Sequence, residues 1–402
     1  MPRVLPRLRA DLEFMPSPVE DRPGLLIRDP YHYSDATLIV PPALIGYLEF
    51  FDGSSSDLDL RAALVQLTGD LRVGEIEEHL LRTLSDAGFL EDEVYAGRRE
   101  QCHQEFDAAG VREAALAGSG YPEEATELRA QLGAYLNGAG AGPSSLAGLA
   151  APHVSLEGGR ECYGDAYAAL SSQDASRVFV VLGTSHYGEP DCFGLTRKPF
   201  LTPLGEASTD TALVDELAAR APGAVRMEDY CHSFEHSIEF QVLFLQQVCG
   251  AGVRILPILC GAYAHSLLEG GAPENQESIA RFLDALGEIG AREGRRLCWV
   301  LGIDMAHMGR RYGDAFAALA DQGVMAEVAV RDRERIERIR AADARGFWDL
   351  VRENRDDLKW CGASPLYTFL RVCPQVRAEL LRYQQWNIDP ESVVTFAALH
   401  FT

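Results

Sequence analysis

The sequence lacks the features that mark membrane and secreted proteins. It contains no run of about 18 apolar residues, the length that a membrane-spanning helix needs. The first 14 residues carry charges where a signal peptide would place its apolar stretch. We therefore expect a cytoplasmic protein that makes no contact with a membrane.

Positive charge is also scarce. The chain has 37 Lys and Arg residues against 60 Asp and Glu residues, which gives a formal net charge of −23 at pH 7. A surface this acidic repels the phosphates of nucleic acids, so we expect no nucleic-acid partner.

The motifs of several common sites are missing. The nine cysteines are irregularly spaced and form no C-x-x-C pair, which is typical of reduced thiols rather than of a disulfide framework or a structural zinc site. There is no P-loop and no G-x-G-x-x-G after a predicted strand. The G-T-S-H at residues 183–186 is not the G-x-S-x-G of serine hydrolases, which disfavours that chemistry.

What is present is enough for two or three folded domains. The chain has 402 residues, of which 47% are hydrophobic and 24% charged, the usual mix of a folded protein. We predict a first domain over residues 1–97, a polar linker over 98–112 and a second domain over 113–402.

The first domain has the pattern of a small winged-helix-like α+β unit. Short strands are predicted at 24–30, 37–41 and 89–92, and helices from residue 42, from residue 57 and over 75–87. The polar segment that follows, 94–112, is predicted to be helical. Over residues 25–93 this layout resembles the PqqD-like fold, which binds leader peptides in some peptide-modification systems. The resemblance implies a protein or leader-peptide partner for this domain.

The second domain alternates apolar strands with helices. Unbroken apolar runs at 149–152, 178–183, 255–259 and 297–302 predict strands that are covered by helices on both faces. Helices are predicted over 123–136, 164–171, 210–221, 239–248 and 275–293, a flexible loop over 138–145 and a last strand over 392–401. This order predicts a three-layer α/β/α domain.

Polar side chains follow these strands where the strands end. His153, His186 and Asp304 come directly after apolar runs, His307 lies just beyond, and His236 opens a predicted helix. Ligands of open α/β sheets bind outside the carboxyl ends of the strands. We therefore expect these side chains to share one site.

Imidazoles and carboxylates are ligands for transition metals. Two histidines and one carboxylate with open positions are typical of non-haem iron(II), so iron(II) is the expected cofactor, with copper or zinc as alternatives. The candidate ligands are His153, His186, His236, Asp304 and His307. Without a metal, the same residues would form a polar pocket of neutral histidines bonded to one another.

A series of motifs, in order from about residue 115 to the end, resembles the Memo family. The motifs are A-P-H at 151–153, L-G-T-S-H at 182–186, T-P-L-G at 202–205, E-H-S-I-E at 235–239, D-M-A-H at 304–307 and C-G-x-x-P at 361–365. The resemblance implies a fold related to the class III extradiol dioxygenases, which use iron(II) and open catechol rings beside the metal.

The resemblance also implies a set of metal ligands. The three family histidines correspond to His153, His186 and His236, but the position of the family cysteine ligand is Ala306 here. A methyl group cannot bind a metal. Either Asp304 or His307 supplies the further ligand, or the site is weaker or empty.

For the chemistry, His236 is the candidate acid/base, because a free imidazole titrates near pH ~6.5. Glu239 would orient it or cap its own helix. The secondary candidates, each with a purely structural alternative, are Tyr187 in the pocket wall, Cys260 facing the cavity, His232 supporting a ligand and Arg160 holding an anion.

The sequence leaves open whether the protein is an enzyme. The first hypothesis is a metal-dependent, dioxygenase-like oxidoreductase acting on a small-molecule or peptide-borne substrate. The second is a non-catalytic protein that keeps the cleft to bind a peptide or a phosphorylated ligand. The third is a redox or metal-handling accessory in which the thiols matter.

Overall fold

The computed structural model describes residues 2–19, 21–137 and 146–402, so the loop predicted at 138–145 lies outside the described residues. The chain divides into two compact units, Met1–Ala108 and Ala109–Thr402. Each unit has a core of buried apolar side chains of its own. Among the described helices, none has the length and apolar character that crossing a membrane requires.

The first unit combines a small antiparallel sheet with helices. Its strands pair in the order β1-β2-β3. Helix α2 begins at a capping box, in which the Ser56 and Asp59 side chains each accept from the backbone N–H of the other. The elements are β1 (Glu13–Pro16), β2 (Leu25–Arg28), β3 (Thr37–Val40), α1 (Pro42–Ile45), α2 (Asp57–Thr68), α3 (Gly74–Asp86) and α4 (Glu93–Ala108).

The sequence locates most of this unit. The strands predicted at 24–30 and 37–41 and the three helices are present, whereas the strand predicted at 89–92 is only a bridge between Leu90 and Leu8, and β1 was not predicted. The polar linker is helical over residues 98–108, which belong to α4. Arg98 donates to the carbonyl of Asp86 at 2.8 Å, and Phe106 is buried, which attaches this helix to the first unit. The winged-helix and PqqD-like assignment stays a prediction.

The second unit is built on an 11-stranded mixed sheet with the order β12-β14-β4-β11-β5-β10-β6-β9. In addition, β13 pairs with β14, β8 pairs with β10, and β7 pairs with β8. The strands are β4 (Gly148–Ala151), β5 (Val178–Thr184), β6 (Phe193–Leu195), β7 (Phe200–Thr202), β8 (Gly205–Thr209), β9 (Val225–Met227), β10 (Arg254–Cys260), β11 (Leu297–Gly302), β12 (His307–Gly309), β13 (Ala378–Asp389) and β14 (Ser392–Phe401).

Helices cover both faces of this sheet. They are α5 (Ala125–Leu136), α6 (Arg160–Tyr167), α7 (Thr211–Arg220), α8 (His236–Cys249), α9 (Ala264–Glu269), α10 (Glu277–Glu293), α11 (Val324–Arg340), α12 (Ala344–Arg352) and α13 (Ala363–Val372). Side chains of α5, α6 and α8 form the core on one face, and those of α7 and α10 to α13 form the core on the other.

The four central strands explain this layering. β4, β11, β5 and β10 run parallel to one another. Along β5, Val178, Val180 and Leu182 enter one core while Phe179 and Val181 enter the other, since successive side chains of a strand point to opposite faces. Successive residues of such a strand must therefore all be apolar, because each enters one of the two cores. The predicted three-layer α/β domain is confirmed.

Candidate metal centre

His153 lies just past the carboxyl end of β4, at the floor of the site. Its backbone N–H and that of Val154 donate to Asp304 Oδ1 at 3.0 and 3.2 Å, which fixes the turn after the strand. Its Nδ1 lies 2.9 Å from the carbonyl of Gly302. A carbonyl only accepts, so Nδ1 carries the proton, and Nε2 of the neutral ring is left with a lone pair.

His186 follows β5 and is held by Glu235. The Glu235 carboxylate accepts from the backbone N–H of His186 at 2.9 Å and from its Nδ1 at 3.0 Å. The same carboxylate lies 3.1 Å from Nδ1 of His236, the first residue of α8. Both imidazoles therefore keep Nε2 free for another partner.

The three rings converge. Their centroids are 5.0 Å apart for His153 and His186, 5.2 Å for His153 and His236, and 5.0 Å for His186 and His236. One ligand nitrogen of each histidine lies within 4.8 Å of the other two, which is a spacing from which they could hold one ion. Side-chain exposure is 2% for His153, 26% for His186 and 30% for His236, so the cluster opens to solvent on the side of the last two.

Two glycines allow α8 to approach the strand ends. A Cβ on Gly183 of β5 would lie 2.5 Å from Ser237 Oγ, and one on Gly302 of β11 would lie 2.1 Å from the carbonyl of Ser237. Ser237 Oγ in turn donates to the carbonyl of Thr184 at 2.8 Å. Only a residue without a side chain leaves room for the start of α8, which carries His236.

The electrostatics of the metal-free cluster follow from its acidic partners. Burial would lower the pKa of His153, but Asp304 and Cys361 raise it to about 9. Burial likewise opposes protonation of His186, yet the Glu235 carboxylate raises the pKa of this ring well above its ordinary value. Burial lowers the pKa of His236. The acidic partners thus favour protonation of His153 and His186, whereas burial favours the neutral form of His236.

Asp304 and His307 lie beside the three histidines rather than among them. Asp304 Oδ1 is occupied by the two backbone N–H groups, and its Oδ2 lies 3.6 Å from Nε2 of His153. Nδ1 of His307 lies 2.9 and 3.0 Å from the carbonyls of Met305 and Lys359, and its ring packs edge-on against Tyr312. Both remain candidate ligands, with Asp304 closer to the cluster.

Glu239 points away from His236. Its carboxylate forms an ion pair with Arg112, accepts from the backbone N–H groups of Ala115 and Leu116 at 3.0 Å each, and accepts from the Tyr121 hydroxyl. All of these partners lie in the segment that leads into α5. The structure therefore gives Glu239 an anchoring contact, and the carboxylate that orients His236 is Glu235.

Comparison with known proteins shows the family to which the chain belongs. The profile of a family described as Memo-like protein matches residues 112–400. This chain belongs to the Memo family. A MEMO1 family protein of Aquifex aeolicus is 24% identical over 380 residues, which cover 94% of this chain and 95% of the relative.

Two archaeal relatives match a shorter part of this Memo-family chain. A MEMO1 family protein of Thermococcus kodakarensis is 30% identical over 305 residues, covering 72% of this chain and 99% of the relative. One of Methanopyrus kandleri is 27% identical over 306 residues, covering 72% and 98%. Relatives of this family thus include shorter proteins that align over nearly their whole length.

Two residues beside the histidines are not among the candidate ligands or catalytic residues that the sequence predicts. Glu235 is buried and contacts two of the three histidines, although the sequence shows it only within the E-H-S-I-E motif. Cys361 belongs to the C-G-x-x-P motif, and its Sγ lies 3.2 Å from Nε2 of His153. The position of Glu235 directly before a helix indicates a helix cap, because an acidic side chain there accepts from the first backbone N–H groups of the helix. Such a side chain lies close to His236, the first residue of the helix.

The secondary candidates have structural contacts. His232 is buried with Nε2 3.0 Å from the carbonyl of Gly194, Cys260 is buried in the core, and Arg160 pairs with the exposed Glu157 at 2.8 Å. Tyr187 does lie in the wall of the site, with its ring 6.1 Å from that of His186 and 5.2 Å from that of Phe234.

Proposed function

We propose that this protein is a metal-dependent, dioxygenase-like oxidoreductase that holds iron(II) on His153, His186 and His236 and acts on a small-molecule or peptide-borne substrate. The observation that carries the proposal is the convergence of three imidazole nitrogens within 4.8 Å of one another at the carboxyl ends of the sheet strands. Copper and zinc accept the same ligands and remain alternatives to iron.

The hydrogen bonds of the rings fit such an ion. Metal-binding histidines usually donate their second ring N–H to a carboxylate or a carbonyl, which fixes the tautomer and the ring orientation. Here the Gly302 carbonyl accepts from Nδ1 of His153, and the Glu235 carboxylate lies against Nδ1 of both His186 and His236. Each ring therefore presents Nε2 to the cluster.

The residues around a bound ion would define where a substrate approaches it. Iron(II) bound there would supply redox chemistry with dioxygen at a place that a substrate can reach from solvent. The exposed sides of His186 and His236 define that approach, and Tyr187 with Phe234 would form an aromatic wall beside it. A His236 that binds the ion through Nε2 and Glu235 through Nδ1 has no nitrogen left for proton transfer, so its acid/base role applies only to the metal-free site.

The test is anaerobic loading of the full chain with iron(II), removal of weakly held ions by gel filtration, and elemental analysis. We expect about one iron per chain in the wild type and almost none in His153→Ala and His186→Ala. His79→Ala, which removes an exposed histidine on α3, should keep its iron. Oxygen uptake by the loaded protein with catechol as a probe then tests the oxidoreductase assignment. A wild-type chain that leaves the column without metal would refute the proposal.

A further inference from the structure

The cluster contains a fourth group with the properties of a metal ligand. Cys361 Sγ lies 3.2 Å from Nε2 of His153, the nitrogen that faces the other two histidines, and 3.6 Å from the carbonyl oxygen of Asp304. The thiol therefore contacts His153 at the nitrogen that would bind an ion.

The backbone holds this thiol in place. Thr184 Oγ1, at the end of β5, donates to the carbonyl of Cys361 at 3.0 Å, and the N–H of Gly362 donates to the carbonyl of Asp304 at 3.0 Å. A Cβ on Gly362 would lie 2.6 Å from that carbonyl oxygen and 2.6 Å from Cβ of Ile303, so only glycine lets the loop lie against the end of β11. Cys361 is thus fixed to the same strand ends that carry His186 and Asp304.

The distances suit a shared ion. A nitrogen and a sulfur bound to one ion at about 2.0 and 2.3 Å lie roughly 3.0–3.5 Å apart for angles between octahedral and tetrahedral. The separation between His153 Nε2 and Cys361 Sγ falls in this range. Asp304 Oδ2 lies farther from the same nitrogen, and its other oxygen is engaged by backbone N–H groups.

We infer that Cys361 supplies a thiolate ligand to the ion held by His153, His186 and His236. It would replace the family cysteine ligand, whose position is occupied by Ala306 in this chain. This inference rests on the proposed function. The thiol comes from the loop before α13, whereas Ala306 is a fully buried methyl in the turn after β11. A thiolate among three imidazoles shifts metal preference toward iron, zinc and copper(I) and away from magnesium and manganese.

The experiment is anaerobic titration of the full chain with cobalt(II), followed by absorption spectroscopy. We expect the wild type to develop a near-ultraviolet thiolate-to-cobalt charge-transfer band that saturates at about one ion per chain. Cys361→Ser should lose the band and bind cobalt at least about tenfold more weakly. Cys192→Ser, which changes a half-buried thiol next to the carboxyl end of β10, should keep both properties.

A measurement on the unchanged protein covers the case in which Cys361→Ser fails to fold. X-ray absorption of the zinc-loaded wild type should show one sulfur at about 2.3 Å together with nitrogen ligands. Zinc bound with nitrogen and oxygen neighbours alone, or a charge-transfer band that survives in Cys361→Ser, overturns the inference and leaves the three-histidine site standing. A wild type that binds no ion at all overturns the proposed function as well.

Discussion

Glu235 and His186 are joined at two points, because the carboxylate accepts from both the backbone N–H and Nδ1 of this histidine. The carboxylate also accepts from the backbone N–H groups of His236 and Ser237 at 2.8 and 3.1 Å. One buried side chain therefore orients two imidazoles and caps the helix that presents one of them.

Glu235→Gln should weaken metal binding by about 10- to 100-fold, the range found when a residue that orients metal ligands is replaced. The amide keeps the shape of the side chain, but it loses the charge and one of the two acceptor oxygens. Competition between the protein and a chromophoric chelator for zinc measures this change.

Glu239→Gln is the matched control, since Glu239 lies one turn farther along α8. Removing one partner of its buried ion pair with Arg112 should cost about 3–5 kcal/mol of unfolding free energy. The folded variant should bind zinc as the wild type does. The reverse outcome, with Glu239→Gln losing zinc and Glu235→Gln keeping it, would show that the roles of the two carboxylates are assigned the wrong way round.

Gly183→Ala should both destabilise the protein and loosen the site. The added methyl would lie 2.5 Å from Ser237 Oγ and 2.6 Å from Cγ1 of Ile238, so α8 must shift. Such overpacking typically costs about 1–3 kcal/mol. Chemical denaturation and zinc competition are the measurements, and Gly252→Ala, which meets nothing within 4 Å, should change neither. Equal effects of the two substitutions would contradict this account.

Metal affinity should rise with pH between about 6 and 9. The pKa of His153 is raised to about 9 and that of His186 lies well above its ordinary value, so both rings carry protons that an ion must displace. Each fully protonated ring contributes about tenfold in affinity per pH unit. Calorimetric titration with zinc in buffers of different ionisation enthalpy should show proton release at pH 7. An affinity that is constant over this range would mean that the rings are already neutral.

Residues 109–402 should bind the metal without the first unit. Each of the four proposed ligands lies in the second unit, which has its own cores, and two archaeal relatives align over 98–99% of their length with 72% of this chain. The truncated protein should take up about one ion per chain by elemental analysis. A soluble, folded fragment that stays metal-free would show that the first unit is needed.

The sequence predicts the positions of His153 and His186 because they depend on the sheet alone. Apolar runs mark β4 and β5, and a residue that follows such a run must lie at the carboxyl edge. His236 could be placed there only through the family motif, because a helix start can lie anywhere around a sheet. The expected convergence of these residues is present in the structure.

The sequence could not choose between two carboxylates or find the thiol. Glu235 and Glu239 both lie near His236 in the chain, and only the contact between Arg112 and Glu239 shows which one faces away. Cys361 reaches the site through a loop whose path depends on a close backbone approach at Gly362. The position of Glu235 before a helix and the C-G-x-x-P motif mark these residues locally, but neither pattern shows which other side chains they contact.

Strand β13 was also missed, for a reason that lies in its surroundings. Among the strands that the structure describes it pairs only with β14, most of its residues are half-buried, and its register shifts between Leu380 and Arg382 and between Asn387 and Asp389. These irregularities remove the alternation of apolar and polar residues by which half-buried strands are recognised. β14, buried along its whole length, was predicted with its observed bounds.

The position of β4 has a consequence for folding. β4, which ends just before His153, lies between β11 and β14, two strands that come much later in the chain. Pairings between segments so distant in sequence form slowly, because the entropy of closing a long loop is lost before the contacts compensate for it. We therefore expect the strand that carries His153 to join the sheet late in folding.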